Sequence, residues 1–265
     1  MKLHLISGLP RSGSTLLSGI LRQNPRFRAA IQSPLADVFG AALRAMSAAE
    51  SAMFITPDQR RLILSSVIES FYRHINQDLV VFDSNRSWCS ILPAVAELLP
   101  STRVICCIRS PAWILDSIER LVQANPLSVS RMFNHEIGNV YTRVESLATK
   151  QLLAPALNAL RQAWHSDHAN LLVAVRYDSL VKDPALVIDA LYRQLGERHF
   201  EHDYSSVDYS EPDFDSRLGL PGLHTVAGPV APRPRQTILP SDLFALYDQQ
   251  FWNAPDGNPR GVIVL

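Results

Sequence analysis

Four short, mostly apolar runs are spaced along the chain, at residues 3–7, 79–83, 103–108 and 171–177. Runs of this length and apolar content are typical of strands that are buried on both faces of a sheet. We therefore predict four central strands, with the polar segments between them outside the sheet.

Segments with a helical pattern lie between these runs, at residues 14–25, 34–48, 57–75, 130–165 and 183–196. The fourth is long enough for two helices, and Pro155 predicts a break between them. Thr56 and Pro57 are a start signal for the third segment, and Gly196 is a stop signal for the last. Strands that alternate with helices predict an α/β fold of three layers, with a central, mainly parallel sheet covered by helices on both faces.

The chain has 265 residues and 47% hydrophobic content, which is enough for one large core. We predict a single domain over residues 1–265. Its 25 basic and 25 acidic side chains balance, which argues against a general nucleic-acid or membrane-surface binder but is compatible with a local basic pocket. Nothing in the composition indicates an oligomeric state.

The three cysteines are an odd number, and Cys106 and Cys107 are adjacent within an apolar run. This pattern indicates buried, reduced thiols rather than a disulfide framework. No metal-ligand spacing is present, so we expect no metal. The first apolar run is too short for a signal peptide, and no run approaches the ~20 residues of a membrane span. We predict a cytoplasmic protein.

A glycine-bearing loop, GLPRSGST, follows the first apolar run directly. Its spacing is that of a P-loop, but Ser14 stands where a nucleotide-hydrolysing enzyme has its lysine. Backbone N–H groups and the N-terminus of the following helix can bind an anion there, assisted by the hydroxyls of Ser12, Ser14 and Thr15 and the charge of Arg11. Because Asp83 could hold a metal, a nucleotide or small-molecule kinase is one alternative, and a tight turn with incidental serines is another.

A second candidate anion site follows the third apolar run. Arg109 ends that run, Pro111 opens a helix, and Ser117 lies about two turns into the helix. An arginine at a strand end can hold a phosphate through two N–H groups. The alternative is an arginine that pairs with a neighbouring carboxylate at the surface.

Residues 210–240 hold six of the 18 prolines and three of the 11 glycines. This composition does not allow regular structure over a long stretch, and a long irregular segment in a compact domain is often functional. Because it contains His224, Arg233 and Arg235, we predict a binding loop or lid over the site. A surface linker is the alternative.

Together these stretches resemble the sulfotransferase superfamily, whose donor is 3′-phosphoadenosine 5′-phosphosulfate. GLPRSGSTLL is similar to the family's 5′-phosphosulfate loop, VICCIRSPAWILDSI to its 3′-phosphate site, and VRYDSLVKDP to its Y-x-x-L-x-x-x-P stretch. The resemblance covers residues 3–184. The pattern looks nearest to bacterial and tyrosylprotein sulfotransferases.

The resemblance implies in-line transfer of a sulfuryl group to a hydroxyl, or to an amine or amide nitrogen, of a small-molecule or peptide acceptor, without a metal. It implies that the 5′-phosphosulfate is held by Arg11, Ser12, Gly13, Ser14 and Thr15. It implies that the 3′-phosphate is held by Arg109 and Ser117. We add Tyr177, Arg233 and Arg235 as candidate donor-binding residues.

The chain departs from the family at two catalytic positions. Ser84 stands where relatives commonly have a lysine, and Arg86 is the nearest cation, so we predict that Arg86 replaces it; the alternative is an ordinary surface arginine. Arg11 is the second candidate for stabilising the leaving phosphate. Gln32 stands where tyrosylprotein sulfotransferases keep a glutamate base. The remaining candidates for the base are His224, His135, Glu136 and Asp83, and a non-catalytic nucleotide-binding relative is a further alternative.

The acceptor is the least defined part of the prediction. Segments 32–60 and 120–145 join the two anion sites, so we expect them to shape the acceptor pocket. Their larger apolar side chains indicate either an apolar acceptor or ordinary core: Phe39, Met46, Phe54, Met132 and Phe133.

Overall fold

The computed structural model describes residues 1–48, 50–127, 138–254 and 256–265. The strands in these residues are β1 (Lys2–Gly8), β2 (Phe27–Ala29), β3 (Val80–Ser84), β4 (Val104–Ile108), β5 (Leu172–Arg176) and β6 (Ile263–Val264). The α-helices are α1 (Ser14–Leu21), α2 (Leu35–Ser47), α3 (Pro57–Phe71), α4 (Leu92–Leu98), α5 (Pro111–Ala124), α6 (Val140–Thr149), α7 (Leu153–Trp164), α8 (Tyr177–Lys182), α9 (Pro184–Leu195), α10 (Pro212–Leu218) and α11 (Ser241–Tyr247). Short 3-10 helices lie at Ser51–Phe54, Arg86–Ile91, Ala169–Leu171 and Phe251–Asn253.

Within this described part of the chain, the six strands form one parallel sheet in the order β2-β3-β1-β4-β5-β6. Successive residues of a strand face opposite sides of the sheet. Cys106 packs into the cluster formed with helices α2 to α7 and α11, and Cys107 into the cluster formed with α1, α8 and α9. The predicted three-layer α/β fold, with helices on both faces, is confirmed. Cys89, Cys106 and Cys107 are all buried, and none of them forms a disulfide bond.

The predicted division of this segment into two helices near Pro155 is observed, but the proline lies inside the second helix and not at the break. Helix α6 ends at Thr149 and α7 begins at Leu153, so Pro155 lies in the first turn of α7. The missing N–H of a proline costs nothing there, because N–H groups in a first turn have no intrahelical partner. The chain therefore breaks before the proline, and residues 130–137 of the predicted segment lie outside the described residues.

The order in which the chain adds strands to the sheet reverses at β1. From β1 the chain continues to β2 and β3 on one side, and then returns to β4 and β5 on the other. Parallel sheets bind ligands at such a switch point, beyond the carboxyl ends of the strands. The GLPRSGST loop leaves β1 at this point, and Gly8 pairs with Cys107 on β4.

His4 is a buried histidine in the middle of β1. It is only 1% exposed, and its Nδ1 accepts a hydrogen bond from the Arg103 N–H at 3.1 Å. Its Nε2 is buried and has no partner among the described residues. Burial, followed by the nearby charge of Lys2, lowers the pKa of His4 to about 4.

We expect His4 to make the fold acid-sensitive. Because its pKa is lower in the folded state than the ordinary value of about 6.5, the unfolded state binds more protons at low pH. The contribution of neutral His4 to the free energy of unfolding is fully present above about pH 6.5. It is lost progressively as the pH falls towards 4, by up to about 3 kcal/mol. Urea unfolding of the wild type and of His4→Asn, at pH 7 and pH 4.5, measures this loss. His74→Asn, at an exposed histidine, is the control, and the same pH slope in wild type and His4→Asn would contradict the assignment.

Candidate active site

A cavity of about 670 Å³ opens where the GLPRSGST loop, α5 and residues 214–235 meet. It brings together most of the residues that the sequence predicts for the site. These are Arg11, Gly13, Ser14, Thr15, Arg86, Arg109, Ser117, Tyr177, His224, Arg233 and Arg235.

Backbone geometry gives the first loop its shape. Gly8 and Gly13 have φ angles of 94° and 97°, and Arg11 has a φ of 53°, which is rare for a residue with a side chain. A Cβ on Gly8 would lie 2.4 Å from the carbonyl oxygen of Cys107, so the close approach of β1 and β4 requires glycine. Helix α1 then begins at Ser14 without a side-chain cap. Its first N–H groups therefore remain available at a positive helix end that faces the cavity.

Ser12 is the predicted donor-binding residue that does not line the cavity. Its side chain is buried, and its hydroxyl lies within hydrogen-bonding distance of the carbonyl oxygens of Leu9 and Cys107, the latter at 2.8 Å. The side chain therefore holds the loop against β4, which leaves the backbone N–H as its possible contribution to a ligand.

The Arg11 side chain connects the two predicted anion sites. Its Nε donates to Ser117 Oγ at 3.2 Å, and its Nη1 donates to the carbonyl oxygen of Leu223. Burial, together with the charge of Arg109, lowers the pKa of Arg11 to about 10, so the side chain is still charged at neutral pH. The two sites are thus neighbouring parts of one basic surface.

Arg109 is held at the end of β4 by Tyr177. The guanidinium lies 4.0 Å from the centre of the Tyr177 ring, and its Nη1 lies 3.4 Å from the carbonyl oxygen of Arg11. Its Nε is buried without a hydrogen-bond partner in the described part of the chain. The Tyr177 ring also packs against Gly13, where an added Cβ would lie 2.9 Å from the ring. Arg109 therefore lines the cavity and keeps N–H capacity that the described residues do not use.

Charge in the cavity is strongly one-sided. Arginine side chains from four separate segments line it, whereas Asp178 is the acidic side chain among the lining residues of the described chain. Burial lowers the pKa of Arg109, as expected for a cation partly withdrawn from water. A local basic pocket therefore exists in a chain of balanced charge, and an anionic ligand would relieve the repulsion between these cations.

The predicted catalytic cation, Arg86, reaches the cavity. Of the residues at the two departures from the family pattern, Ser84 lies two positions before Arg86, and Gln32 reaches the cavity from a separate segment. Arg86 begins the 3-10 helix after β3 and lines the cavity, and its guanidinium makes no hydrogen bond to the described residues. Ser84 is buried beneath, with an Oγ that lacks a partner among those residues. Gln32 lines the cavity as an exposed side chain.

Among the base candidates, His224 lines the cavity. It contacts Asp215, a residue that the sequence analysis missed: Nδ1 lies 2.6 Å from one carboxylate oxygen, and the backbone N–H donates to the other at 2.8 Å. Pro212 at the start of α10 and Gly219 just after its end are usual helix signals, so the sequence could have revealed this helix. The sequence does not indicate that Asp215 on this helix contacts His224.

Asp83 lies away from the cavity. It is 1% exposed and accepts hydrogen bonds from the Tyr72 hydroxyl and from Trp88 Nε1, the latter at 2.7 Å. These contacts give it a structural role near the end of β3. The other two base candidates, His135 and Glu136, lie outside the described residues.

Residues 233–238 are attached to α5 through Asp116. This fully buried carboxylate pairs with Arg235 at 3.2 Å and accepts hydrogen bonds from Thr237 and from the Ile238 N–H. Arg235 also lies over the Trp113 ring, at 4.9 Å from its centre. Arg233 is exposed, with a weak contact to the carbonyl oxygen of Ala227 at 3.4 Å. Arg235 is therefore fixed, whereas Arg233 is available to a ligand.

The apolar part of the wall differs from the expectation that segments 32–60 and 120–145 shape it. In the described residues of those segments, Gln32 is the one that lines the cavity. Phe39 and Met46 are buried core and Phe54 is exposed, while Met132 and Phe133 lie outside the described residues. Apolar side chains reach the cavity instead from other segments, including Ile31, Leu152, Phe214 and Leu218.

No helix in the described residues combines the length and the apolar character of a membrane span. The described residues also contain no group of three or more side chains that could together hold a metal ion.

Comparison with solved structures supports the fold. A sulfotransferase from Alicyclobacillus acidocaldarius matches with a TM-score of 0.51 at 14% identity, over 82% of this chain and 90% of that one. The sulfotransferase domain of the Synechococcus PCC 7002 olefin synthase matches with a TM-score of 0.45 at 18% identity, over 76% of this chain and 74% of that one. The first of these likenesses shows a shared fold. No curated protein sequence matches the chain.

Comparison with protein families gives the assignment. The model of the "Sulfotransferase family" matches residues 5–202, which is most of the chain and includes the GLPRSGST loop, Arg109 and Ser117. His224, Arg233 and Arg235 lie beyond the matched residues. The chain therefore belongs to the sulfotransferase family and is an enzyme of that class.

Proposed function

We propose that this enzyme takes its sulfuryl group from 3′-phosphoadenosine 5′-phosphosulfate and transfers it in line to a hydroxyl, or to an amine or amide nitrogen, of a small-molecule or peptide acceptor. The observation that carries this proposal is the position of Arg109 and Ser117 beside the start of α1 in one cavity. Such a cavity offers two separate groups of donors to a ligand with two anionic ends.

The start of α1 suits the 5′ end of this donor. The N–H groups of Ser14, Thr15 and Leu16 have no intrahelical partner, and no side chain caps them. A terminal γ-phosphate is absent from this donor, so Ser14 in place of a lysine fits the proposal. When bound, the donor supplies a sulfuryl group on a phosphate leaving group.

The end of β4 suits the 3′-phosphate. The Nε of Arg109 is buried and has no hydrogen-bond partner in the described chain. The Arg109 guanidinium forms no ion pair with a carboxylate of the described residues. Ser117 is 8% exposed, and its hydroxyl already contacts the Arg11 guanidinium. Arg11 and Arg109 together would neutralise a doubly charged phosphate through charged hydrogen bonds. Tyr177 would contribute by holding Arg109 in place, and Arg233 and Arg235 would add further positive charge.

Chemistry in this site would rest on positioning and charge. Arg86, with no hydrogen bond to the described residues, would stabilise negative charge that develops on the leaving phosphate, together with the N–H groups from Arg11 to Thr15. His224 would take the proton of the acceptor. Gln32, at the position of a glutamate in related enzymes, would serve only as a hydrogen-bonding group.

The proposal also includes the setting of the enzyme. Residues 1–265 act as one domain in the cytoplasm, and residues 210–240 close over the bound donor as a lid. The described part of that segment already forms one wall of the cavity and is attached to the donor loop through the Arg11 side chain. Neither a metal nor a nucleic acid takes part.

A nucleotide or small-molecule kinase is less well supported. Asp83, the acid that such an enzyme would need near Mg²⁺, is buried against Tyr72 and Trp88 and does not line the cavity. The observation therefore favours a ligand without a metal-bound γ-phosphate.

Adenosine 3′,5′-bisphosphate should stabilise the protein more than related nucleotides. At 100 times its Kd it should raise Tm by about 5–10 °C, since binding adds about 2.7 kcal/mol to the folded state. Adenosine 5′-phosphate, which lacks the 3′-phosphate, and Mg²⁺-ATP should give smaller shifts in the same thermal-unfolding assay. An equal or larger shift with Mg²⁺-ATP would contradict the proposal. Release of sulfate from the donor in the absence of acceptor then tests whether the bound nucleotide is used.

A further inference from the structure

The carboxylate of Asp215 is buried directly behind the cavity wall. It is fully buried on α10, and both of its oxygens are used by one residue, His224. One oxygen lies 2.6 Å from Nδ1, and the other accepts the backbone N–H at 2.8 Å. An ionised carboxylate in this position accepts a hydrogen bond from Nδ1–H, because ionised aspartate has only acceptors.

The opposite side of the His224 ring faces the cavity. The side chain is 17% exposed, and Nε2 makes no hydrogen bond to the described residues. When Nδ1 carries the proton of a neutral ring, Nε2 carries the lone pair. The free lone pair therefore lies on the nitrogen that a ligand in the cavity can reach.

Charged groups from three elements act on this ring. Asp215 on α10 favours its protonated form, whereas Arg11 of the donor loop and Arg86 of the 3-10 helix disfavour it. Burial is the largest influence, and the pKa of His224 is lowered below its ordinary value of about 6.5. The ring is thus neutral at neutral pH, with its tautomer set by the carboxylate.

The ring is also fixed in place by its surroundings. The chain turns back at Gly219, where φ is 69°, and the Leu220 N–H donates to the carbonyl oxygen of Asp215. Arg11 donates to the carbonyl oxygen of Leu223, the residue before His224. The ring of Phe214 lies 5.4 Å from the imidazole. His224 is therefore positioned both by α10 and by the loop that would hold the donor.

We propose that Asp215 is a positioning residue that keeps the proton of His224 on Nδ1, so that Nε2 can accept the proton of the sulfate acceptor. This inference rests on the proposed function. In the transfer, Nε2 takes the acceptor proton, the acceptor's electron pair forms the bond to sulfur, and the bond between sulfur and the leaving phosphate breaks with its pair on that phosphate. The protonated ring then returns its proton to water.

Asp215→Asn tests this role with almost no change in shape. The amide oxygen can still accept the backbone N–H of His224, but the amide NH₂ would face Nδ1 and can only donate. Nδ1 must then accept, and the proton of the neutral ring moves to Nε2. The nitrogen that faces the cavity would lose its lone pair.

The first readout is the tautomer of His224, measured by two-bond ¹H–¹⁵N NMR on the protein without ligand. We expect Nδ1–H in the wild type and Nε2–H in Asp215→Asn. Asp213→Asn, at an exposed acid on the same helix, is the control and should keep the wild-type tautomer. Should Asp215→Asn not fold, the wild-type spectrum decides alone, because a proton on Nε2 there overturns the proposal.

The second readout is the pH dependence of donor turnover. Asp215→Asn should lower kcat at least about tenfold with little change in the KM for the donor. It should also move the acid limb of the kcat profile to lower pH, because removal of the carboxylate lowers the pKa of His224. A reduced kcat with an unchanged acid limb and an unchanged tautomer would mean that Asp215 has a structural role only. Failure of the proposed function gives a different result, namely no nucleotide binding and no turnover in the wild type.

Discussion

Replacement of Arg86 by alanine should lower turnover of the donor by about 100- to 1000-fold, which is the effect of removing one donor aimed at developing charge. Arg86 lines the cavity, and its guanidinium makes no hydrogen bond to the described residues, so its N–H groups are available to the leaving phosphate. Asp37 lies near enough to favour the charged form of Arg86. The reaction is followed as release of adenosine 3′,5′-bisphosphate. The affinity for that nucleotide, measured by calorimetry, should change much less, because the cation acts mainly on charge that forms during the transfer.

Two further variants sharpen this test. Arg86→Lys keeps a cation and should retain part of the activity. Arg28→Ala removes an exposed arginine on β2, away from the cavity lining of the described chain, and should have no effect. Wild-type turnover in Arg86→Ala would remove this residue from the mechanism.

Replacement of Arg109 by alanine should weaken binding of adenosine 3′,5′-bisphosphate by about 10- to 150-fold, which corresponds to the ~1.5–3 kcal/mol of a charged hydrogen bond. The reason is that Arg109 lines the cavity together with Arg11 and Ser117 and forms no ion pair with a carboxylate of the described residues. Calorimetry measures the Kd, and the affinity for adenosine 5′-phosphate should fall much less. This difference between the two nucleotides separates a 3′-phosphate contact from a general loss of charge.

Arg103 provides a matched control for Arg109. It lies directly before β4, whereas Arg109 directly follows that strand. Its side chain donates to the carbonyl oxygen of Asn170, and it is not part of the cavity lining. Arg103→Ala should leave the Kd unchanged, and Arg109→Lys should bind with intermediate affinity because a lysine cannot make two parallel contacts. An unchanged Kd in a folded Arg109→Ala protein would show that the 3′-phosphate binds elsewhere.

The strands that the sequence predicted are those buried on both faces. β1, β3, β4 and β5 are continuous apolar runs and were recognised for this reason. β2 and β6 have three and two residues and sit at the sheet edges, so neither is long enough to show a pattern. Each of these short strands is stabilised by pairing with a longer neighbouring strand. That pairing is a tertiary contact, so the local sequence pattern does not predict it.

The site was predictable where one short motif positions several groups. The GLPRSGST loop and the spacing from Arg109 to Ser117 each belong to a single strand, turn and helix. The contact between Arg11 and Ser117 spans 106 positions of sequence and depends on the order of β1 and β4 in the sheet. The contact between Asp215 and His224 depends on a turn at Gly219 that no local signal relates to the cavity. These features follow from tertiary packing and could not be read from the sequence.

The concentration of arginines in the cavity has a consequence for the rest of the molecule. Because the whole chain has equal numbers of acids and bases, acidic side chains outnumber basic ones in the remainder of the molecule taken together, and positive charge is concentrated at the cavity. An anion that diffuses towards the enzyme is attracted to this one opening, which raises its rate of capture. At 0.1 M ionic strength, salt screens this electrostatic attraction beyond about 10 Å. The association rate of an anionic ligand therefore depends on salt concentration even though the net charge of the chain is zero.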